Sequence, residues 1–175
     1  RVTDLLKRMR SRHLMAGFAL DLTVMDEDGQ PWDFSIEAKR EKARRMVRPQ
    51  KPYMLIGSLA CKDFSTWQAL NMAKSKDPAA MLRARTASIV HLDFVASLYQ
   101  EQADGGRYFL HEHPAGVTSW KEECVETIWR NPSVERIVND QCQFGQEHGG
   151  EPVMKPTGWM SNSPHIPQQL RKRCT

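Results

Sequence analysis

Two side chains able to do covalent chemistry follow short apolar runs in this sequence. Cys61 lies four residues after Gly57, which ends the apolar run 53–56. Glu112 ends a second apolar run, 108–111. A cysteine on a loop is a nucleophile when nearby cations or a helix start favour its thiolate. An acid at the end of an apolar strand is costly to bury without a partner and commonly marks a functional site.

Each of these residues also has a purely structural interpretation. A lone cysteine is more often an inert core residue, and a carboxylate at a strand end is often bonded to the backbone of the next loop. The sequence has four cysteines, Cys61, Cys124, Cys142 and Cys174. Because they include no Cys-x-x-Cys pair and their spacing indicates no disulfide framework, we expect free thiols in a reducing intracellular compartment, cytoplasmic or nuclear.

The elements that must position these side chains alternate along the chain. Periodic apolar patterns predict helices over 2–12, 35–48, 78–102, 118–130 and 167–172. They predict strands over 18–24, 53–57, 107–112, 133–140 and 159–160. Strands alternating with helices of crossover length predict one α/β domain over 1–175, with a doubly wound, mostly parallel sheet and helices on both faces.

In such a sheet, ligands bind beyond the carboxyl ends of the strands. This rule singles out the residues that follow each predicted strand as a set. Those segments are 21–26, 57–65, 112–116, 140–145 and 161–162. We expect their side chains to lie near one another.

Charge and hydropathy bear on the class of partner. The chain carries a net charge of +4, with a pI of about 9.0. Basic residues cluster within 39–48, in a predicted helix that Ser35 caps and Pro49 follows, and again at 171–173. A solvated helix face explains the first cluster, and contact with nucleic-acid phosphates is the functional interpretation. No apolar run approaches the roughly 20 residues needed to cross a bilayer, so we expect no membrane association.

Taken in order, the motifs around the cysteine and the glutamate resemble those of DNA cytosine carbon-5 methyltransferases. That family has a strand ending in Pro-Pro-Cys-x-x-Phe-Ser, and this chain has Leu59-Ala60-Cys61-Lys62-Asp63-Phe64-Ser65. A later strand of the family ends in Glu-Asn-Val or Glu-Asn-Pro, which corresponds here to Glu112-His113-Pro114. Each motif alone is weak, and their shared order makes the resemblance more specific.

A phage-like branch of the family shares further motifs with this chain. It has Phe-Gly or Tyr-Gly, then Lys-Pro-Thr, an aromatic residue and Asn. The matching residues here are Phe144-Gly145, Lys155-Pro156-Thr157, Trp159 and Asn162. Upstream, residues 17–21 and Trp32-Asp33 are similar to that branch's second cofactor strand and the Trp-Asp that follows it.

The resemblance implies a Rossmann-like methyltransferase fold and a definite reaction. A flipped cytosine of duplex or single-stranded DNA enters the site. The Cys61 thiolate attacks carbon 6 of the ring while Glu112 holds or protonates ring nitrogen 3. S-adenosylmethionine then supplies a methyl group to carbon 5. The implied cofactor-binding residues are Asp21, Asp33, Gly57 and Ser58, and the implied substrate-binding residues are Phe64, Ser65, His113, Pro114, Lys155, Thr157 and Asn162.

The chain departs from the family in three respects. Leu59-Ala60 replaces the two prolines that stiffen the loop carrying the thiol. The Gln-x-Arg-x-Arg pattern of the main branch is absent after Gly145. The Gly-containing first cofactor strand is not visible, and we expect it to precede Arg1 in a longer product.

These departures keep a second interpretation open. It is a catalytically inactive remnant of the fold that binds nucleic acid or serves as a structural module of a mobile-element or viral polyprotein. Asp21 and Asp33 also fit the role of ordinary turn or capping acids.

Three other classes remain as alternatives. Adenine-N6 and cytosine-N4 methyltransferases need Pro-Pro and an aromatic residue, which 58–61 lacks. A nucleobase deaminase needs His-x-Glu followed by Pro-Cys-x-x-Cys, and this pattern does not occur. A zinc site would draw on distant residues. Its candidate ligands are His111, His113, Cys124, Cys142, His165 and Cys174.

Overall fold

The computed structural model describes residues 2–9 and 13–174. The chain divides into two compact units, Arg1–Pro52 and Tyr53–Thr175. The four-stranded sheet belongs to the second unit. The expectation of a single domain over 1–175 stays a prediction.

The first unit contains two helices, α1 (Val2–Met9) and α2 (Glu37–Gln50). Residues 10–12, which the sequence places in the first helix, lie outside the described residues. Two details of α2 differ from expectation. Ser35 is not its N-cap, because the Ser35 amide instead donates to Asp33 Oδ1 at 2.9 Å and Ile36 precedes the first turn. Pro49 lies inside the last turn rather than after it, and Lys51 ends the helix in the left-handed conformation.

The predicted strand over 18–24 is wrong. Asp21 Oδ1 accepts hydrogen bonds from the Thr23 amide at 2.7 Å and the Thr23 hydroxyl at 2.6 Å. The Val24 amide donates to the Asp21 carbonyl at 3.0 Å. These local bonds close a turn, and side-chain-to-backbone bonds of this kind compete with strand pairing.

The second unit alternates strands and helices. Its strands are β1 (Met54–Ser58), β2 (Tyr108–Pro114), β3 (Glu135–Asp140), β4 (Glu147–His148), β5 (Glu151–Pro152) and β6 (Pro156–Ser161). Its α-helices are α3 (Gln68–Lys74), α4 (Pro78–Asp104), α5 (Glu123–Trp129) and α6 (Ile166–Leu170). Short 3-10 turns cover Lys62–Phe64, Thr118–Lys121 and Gln141–Phe144. Most of these elements begin and end within a few residues of the bounds that the sequence predicts.

The four-stranded sheet has the order β1-β2-β6-β3 and is mixed. β1 pairs with β2 in parallel, whereas β6 runs antiparallel to both β2 and β3. The α/β class is confirmed, and the expectation of a mostly parallel sheet is corrected. After β3 the chain turns back through the β4–β5 hairpin at the same edge, so β6 enters the sheet in the opposite direction.

The two faces of the sheet carry different side chains because neighbouring residues of a strand alternate. Phe109 and His111 face α4, where the Tyr99 ring stacks on Phe109 with centroids 4.6 Å apart. Glu112 projects from the opposite face. On that face α6 contacts β3 and β6, and Arg171 after α6 pairs with Glu135.

The structure joins Cys142 and Cys174 in a disulfide, which corrects the expectation of free thiols at these positions. The chain end returns to β3, since the Asp140 amide donates to the Lys172 carbonyl at 3.0 Å. Spacing in the sequence does not reveal this return. Cys61 and Cys124 are free. Within the described ranges, no helix has the length and apolar character that a membrane span requires.

Candidate active site

Three strands end at one edge of the sheet. β1, β2 and β3 point the same way because β6 separates β2 from β3 with two antiparallel pairings. The segments 57–65, 112–116 and 140–145 therefore surround this edge, as the strand-end rule predicts.

Asn162 does not lie at this edge, which corrects its grouping with the other candidates. It follows β6 and so sits at the opposite edge. Its Oδ1 accepts from the Phe109 amide at 2.9 Å, and its Nδ2 donates to the Arg107 carbonyl at 2.8 Å. Asn162 fastens the beginning of β2.

Glu112 is oriented by its neighbour on the adjacent strand. Ser58 is its register partner on β1, and Ser58 Oγ donates to Glu112 Oε2 at 2.5 Å. On the other side its register partner is Trp159 of β6, whose buried Nε1 has no hydrogen-bond partner among the described residues. Glu112 itself is half-buried. A carboxyl group that a neighbouring hydroxyl orients, with part of its surface open, suits general acid–base chemistry.

Cys61 presents an exposed thiol on the loop that follows β1. It begins the 3-10 turn Lys62–Phe64, and the Phe64 amide donates to the Cys61 carbonyl at 3.1 Å. Leu59 is 8% exposed and Phe64 is 0% exposed, so buried side chains anchor the loop on both sides of the thiol. The thiol is therefore accessible on an anchored loop, as a nucleophile requires.

Two residues assigned to the substrate by resemblance have structural roles in the Cys61 loop. Phe64 is fully enclosed in the core. Ser65 Oγ accepts from the Trp67 amide at 3.3 Å and closes the turn before α3.

His113, which the resemblance assigns to the substrate, is buried on the face of the sheet opposite Glu112. Its Nδ1 lies 2.6 Å from Ser119 Oγ, and its ring meets Phe64 edge-on with centroids 5.8 Å apart. Burial lowers the pKa of His113 to about 4, and a backbone hydrogen bond with Ala60 acts in the opposite direction. The neutral imidazole thus packs beneath the loop that carries Cys61.

His111 lies two residues before His113 on β2, so its side chain is on the same buried face of the sheet. Its Nδ1 is 3.1 Å from the Tyr99 hydroxyl. Burial lowers the pKa of His111 to about 3, with smaller contributions from His113 and Arg136. The same burial raises the pKa of Tyr99 well above its ordinary value. This cluster is neutral at physiological pH and supports the sheet beneath the site.

Pro114, Lys155 and Thr157 lie at the same sheet edge as Glu112. The Pro114 carbonyl accepts from Trp120 Nε1 at 2.8 Å. Thr157 is 0% exposed, and its Oγ1 accepts from Gln141 Nε2 at 2.9 Å and donates to the Lys155 carbonyl at 3.3 Å. Only the exposed Lys155 side chain is directed to solvent. The contacts of Pro114 and Thr157 therefore hold the ends of β2 and β6 in place at this edge of the sheet.

The residues that the resemblance assigns to the methyl donor are engaged within the protein. A Cβ at Gly57 would collide with the Tyr99 hydroxyl, so the space beside Gly57 is filled by Tyr99. Ser58 is bonded to Glu112. Asp21 and Asp33 cap turns in the first unit. Gly57 and Ser58 belong to the second unit, and Asp21 and Asp33 belong to the first.

Much of the clustered basic charge is paired inside the chain. Lys39 and Lys42 both bind Asp26, and Lys42 lies 2.8 Å from its Oδ2. These pairings hold the pKa of Asp26 well below its ordinary value, and the same ion pairs raise that of Lys42. At the chain end, Arg171 pairs with Glu135 and Arg173 with Asp140. The phosphate-binding interpretation is thereby weakened for these cations.

No protein-family model, curated protein or solved structure matches this chain. In the described part of the chain, no group of three or more His, Cys, Asp or Glu side chains could hold a metal ion. The zinc alternative therefore has no assembled ligand set in those residues. The indication of function therefore comes from the side chains of Cys61 and Glu112 at the carboxyl ends of the strands.

Proposed function

We propose that this chain is a DNA cytosine carbon-5 methyltransferase-like domain in which Cys61 and Glu112 act on a flipped cytosine. One observation supports this most directly. Ser58 and Glu112 are bonded register partners at the carboxyl ends of adjacent parallel strands, and the exposed Cys61 follows Ser58 by three residues. Three residues span at most about 11 Å, so the thiol loop begins beside the carboxylate.

The proposed chemistry uses this chain's own side chains. The Cys61 thiolate forms a bond from Sγ to carbon 6 of the cytosine ring. The electron pair of the 5,6 double bond forms a double bond between carbons 4 and 5, and the pair of the bond from carbon 4 to nitrogen 3 moves onto nitrogen 3. Protonated Glu112 donates its proton to ring nitrogen 3, which neutralises the charge that develops there. Carbon 5 then becomes nucleophilic and takes an electrophile. Water takes the proton from carbon 5, the thiolate is expelled, and the proton on nitrogen 3 returns to Glu112, which restores the aromatic ring and both side chains.

S-adenosylmethionine is the methyl donor that the resemblance implies, and when bound it supplies the electrophile for carbon 5. Water can also supply a proton at that position. Addition of Cys61 and its expulsion are therefore detectable without the donor. This separates the roles of Cys61 and Glu112 from the question of donor binding.

The experiment that tests the proposal is exchange of the cytosine carbon-5 hydrogen in D₂O. A single-stranded oligonucleotide is the substrate, because its bases need no extrusion from a duplex. We expect deuterium incorporation with the wild-type protein and at least a roughly hundredfold slower rate with Cys61→Ala or Glu112→Gln. Mass spectrometry of the released nucleoside measures it. A folded wild-type protein that incorporates no deuterium contradicts the proposed chemistry.

A matched control uses the other free thiol. Cys124 is half-buried on α5, and burial raises its pKa to about 11. Cys124→Ala should leave the exchange rate unchanged. With S-adenosylmethionine and 5-fluorocytosine in the oligonucleotide, methyl transfer should trap a covalent adduct, because fluorine does not leave as a proton. The adduct should be absent in Cys61→Ala.

A second candidate is a nucleic-acid-binding remnant without turnover. Tyr99 fills the space beside Gly57, and Ser58 is hydrogen-bonded to Glu112, so both residues are engaged within the protein, which supports this candidate. In this case the oligonucleotide binds with the same affinity in wild type and Cys61→Ala, and neither exchange nor an adduct occurs. Fluorescence anisotropy at several salt concentrations measures the binding.

A further inference from the structure

The Cys61 loop lacks the prolines that would stiffen it, yet side chains from three directions hold it. The Arg85 guanidinium of α4 is at the centre of these contacts. Its Nη1 donates to the Asp63 carbonyl at 2.7 Å and to Thr118 Oγ1 at 3.0 Å. Its Cζ lies 4.7 Å from the centre of the Phe64 ring. One side chain therefore bonds the backbone of the loop and covers its buried aromatic anchor.

Further bonds complete the enclosure of the loop. Thr118 Oγ1 donates to the Phe64 carbonyl at 3.1 Å, so Arg85 and the loop share one partner. Ser88 Oγ, one turn along α4, donates to Asp63 Oδ2 at 2.7 Å. Gln68 Nε2 donates to the Lys62 carbonyl at 2.7 Å. The carbonyls of the three residues after Cys61 thus all accept hydrogen bonds from side chains outside the loop.

A partner fixes the position of Arg85 in turn. Its Nη2 forms an ion pair with Glu122, which precedes α5. The Arg85 side chain is 29% exposed and that of Glu122 is 22% exposed, so both groups are largely enclosed. A planar guanidinium that donates to several acceptors at once restricts geometry in a way that a lysine ammonium does not.

We propose that Arg85 is a positioning residue for the Cys61 thiol. It clamps the loop 61–64 between α4 and the Thr118–Lys121 turn, and this tertiary clamp replaces the stiffness that two prolines supply. The proposal rests on the proposed function. Arg85 contacts the backbone after Cys61, and it acts by fixing the position from which Sγ approaches carbon 6.

The first test measures the loop itself by hydrogen exchange of the Phe64 and Ser65 amides. These amides donate to the Cys61 and Lys62 carbonyls at 3.1 and 3.3 Å, so they report opening of the turn. Arg85→Lys keeps the charge that faces Glu122 and removes the planar fork. We expect these amides to exchange at least about tenfold faster, with the amides of β2 unchanged.

The matched control is Arg83→Lys, since Arg83 lies on the same helix with a side chain that is 71% exposed. It should leave the exchange of Phe64 and Ser65 at the wild-type rate. Equal exchange rates at these two amides in wild type, Arg83→Lys and Arg85→Lys would overturn the clamp.

The second test separates positioning from general stability. For deuterium incorporation into cytosine, Arg85→Lys should lower kcat about ten- to a hundredfold and change KM little, because misplacement affects the reacting geometry. Alkylation of Cys61 by iodoacetamide needs no such geometry and should not slow. If alkylation falls together with kcat, the loop has collapsed and positioning is the wrong explanation. If the wild-type protein shows no deuterium incorporation, the proposed function fails, and amide exchange still decides the clamp.

Discussion

Ser58 donates a 2.5 Å hydrogen bond to Glu112 although 54 positions separate the two residues in sequence. They meet because the crossover through α4 returns the chain to the same edge in a parallel strand. The hydroxyl fixes which oxygen of the carboxyl group remains open to a ligand. The sheet therefore positions the acid, while a separate loop positions the thiol.

Ser58→Ala should slow deuterium incorporation into cytosine about tenfold. The variant removes the hydroxyl that orients the Glu112 carboxyl group, and a tenfold change in rate corresponds to about 1.4 kcal/mol of activation free energy. Ser58 is exposed, so the thermal midpoint should move little. Ser58→Thr keeps the hydroxyl and should restore most of the rate. A rate in Ser58→Ala equal to that of the wild type would show that this bond does not orient Glu112.

Gly57→Ala should destabilise the protein by about 1–3 kcal/mol, as overpacking does elsewhere. The added Cβ would meet the Tyr99 hydroxyl, with Val95 Cγ1 3.2 Å away. Urea unfolding measures the loss. Adding Tyr99→Phe removes the colliding oxygen, so the double variant should recover part of it. Gly116→Ala is the control, since nothing lies within 4 Å of its Cβ position.

Acid should unfold the protein through its buried histidines. The folded pKa values of His111 and His113 are about 3 and 4, below the ordinary value of 6.5. Below pH 6.5 the unfolded chain binds more protons, so stability is complete above that pH and falls as the pH drops toward 4. Between these pH values, each imidazole should lower the free energy of unfolding by about 1.4 kcal/mol for every pH unit of acidification.

His113→Asn isolates one of these contributions. The amide oxygen can still pair with Ser119, which contacts His113 Nδ1 in the wild type. Carboxylates titrate alike in both proteins and cancel in the comparison. Between pH 6 and 5 the variant should lose less unfolding free energy per pH unit than the wild type, measured by urea titration. Parallel pH profiles would refute the role of His113.

Asp140 should tether the C-terminal residues independently of the disulfide. Its Oδ2 accepts from the Cys174 amide at 2.9 Å and from Arg173 Nε at 2.8 Å, and these bonds lower its pKa. Under reducing conditions, Asp140→Ala should accelerate exchange of the Cys174 amide about tenfold or more. Glu135→Gln, which breaks only the exposed pair with Arg171, should leave that exchange near the wild-type rate.

Local patterns predicted the elements that carry the site well. The apolar run ending near Gly57 became β1, and the helix predicted over 78–102 became α4 (Pro78–Asp104). The segment 18–24 failed because Asp21 bonded its own neighbours, which an apolar pattern does not reveal. His113 and Phe64 were placed at the site by motif order alone, and burial assigned them to the core.

The sequence by itself determined where most of the helices and strands form and that Cys61 and Glu112 each follow an apolar run, because these features depend on neighbouring residues. Tertiary structure alone decided the direction of β6, the bond from Ser58 to Glu112 and the return of Cys174 to β3. It also decided the clamp that Arg85 places on the Cys61 loop. Each of these joins residues far apart in the chain, and local periodicity carries no information about such pairings.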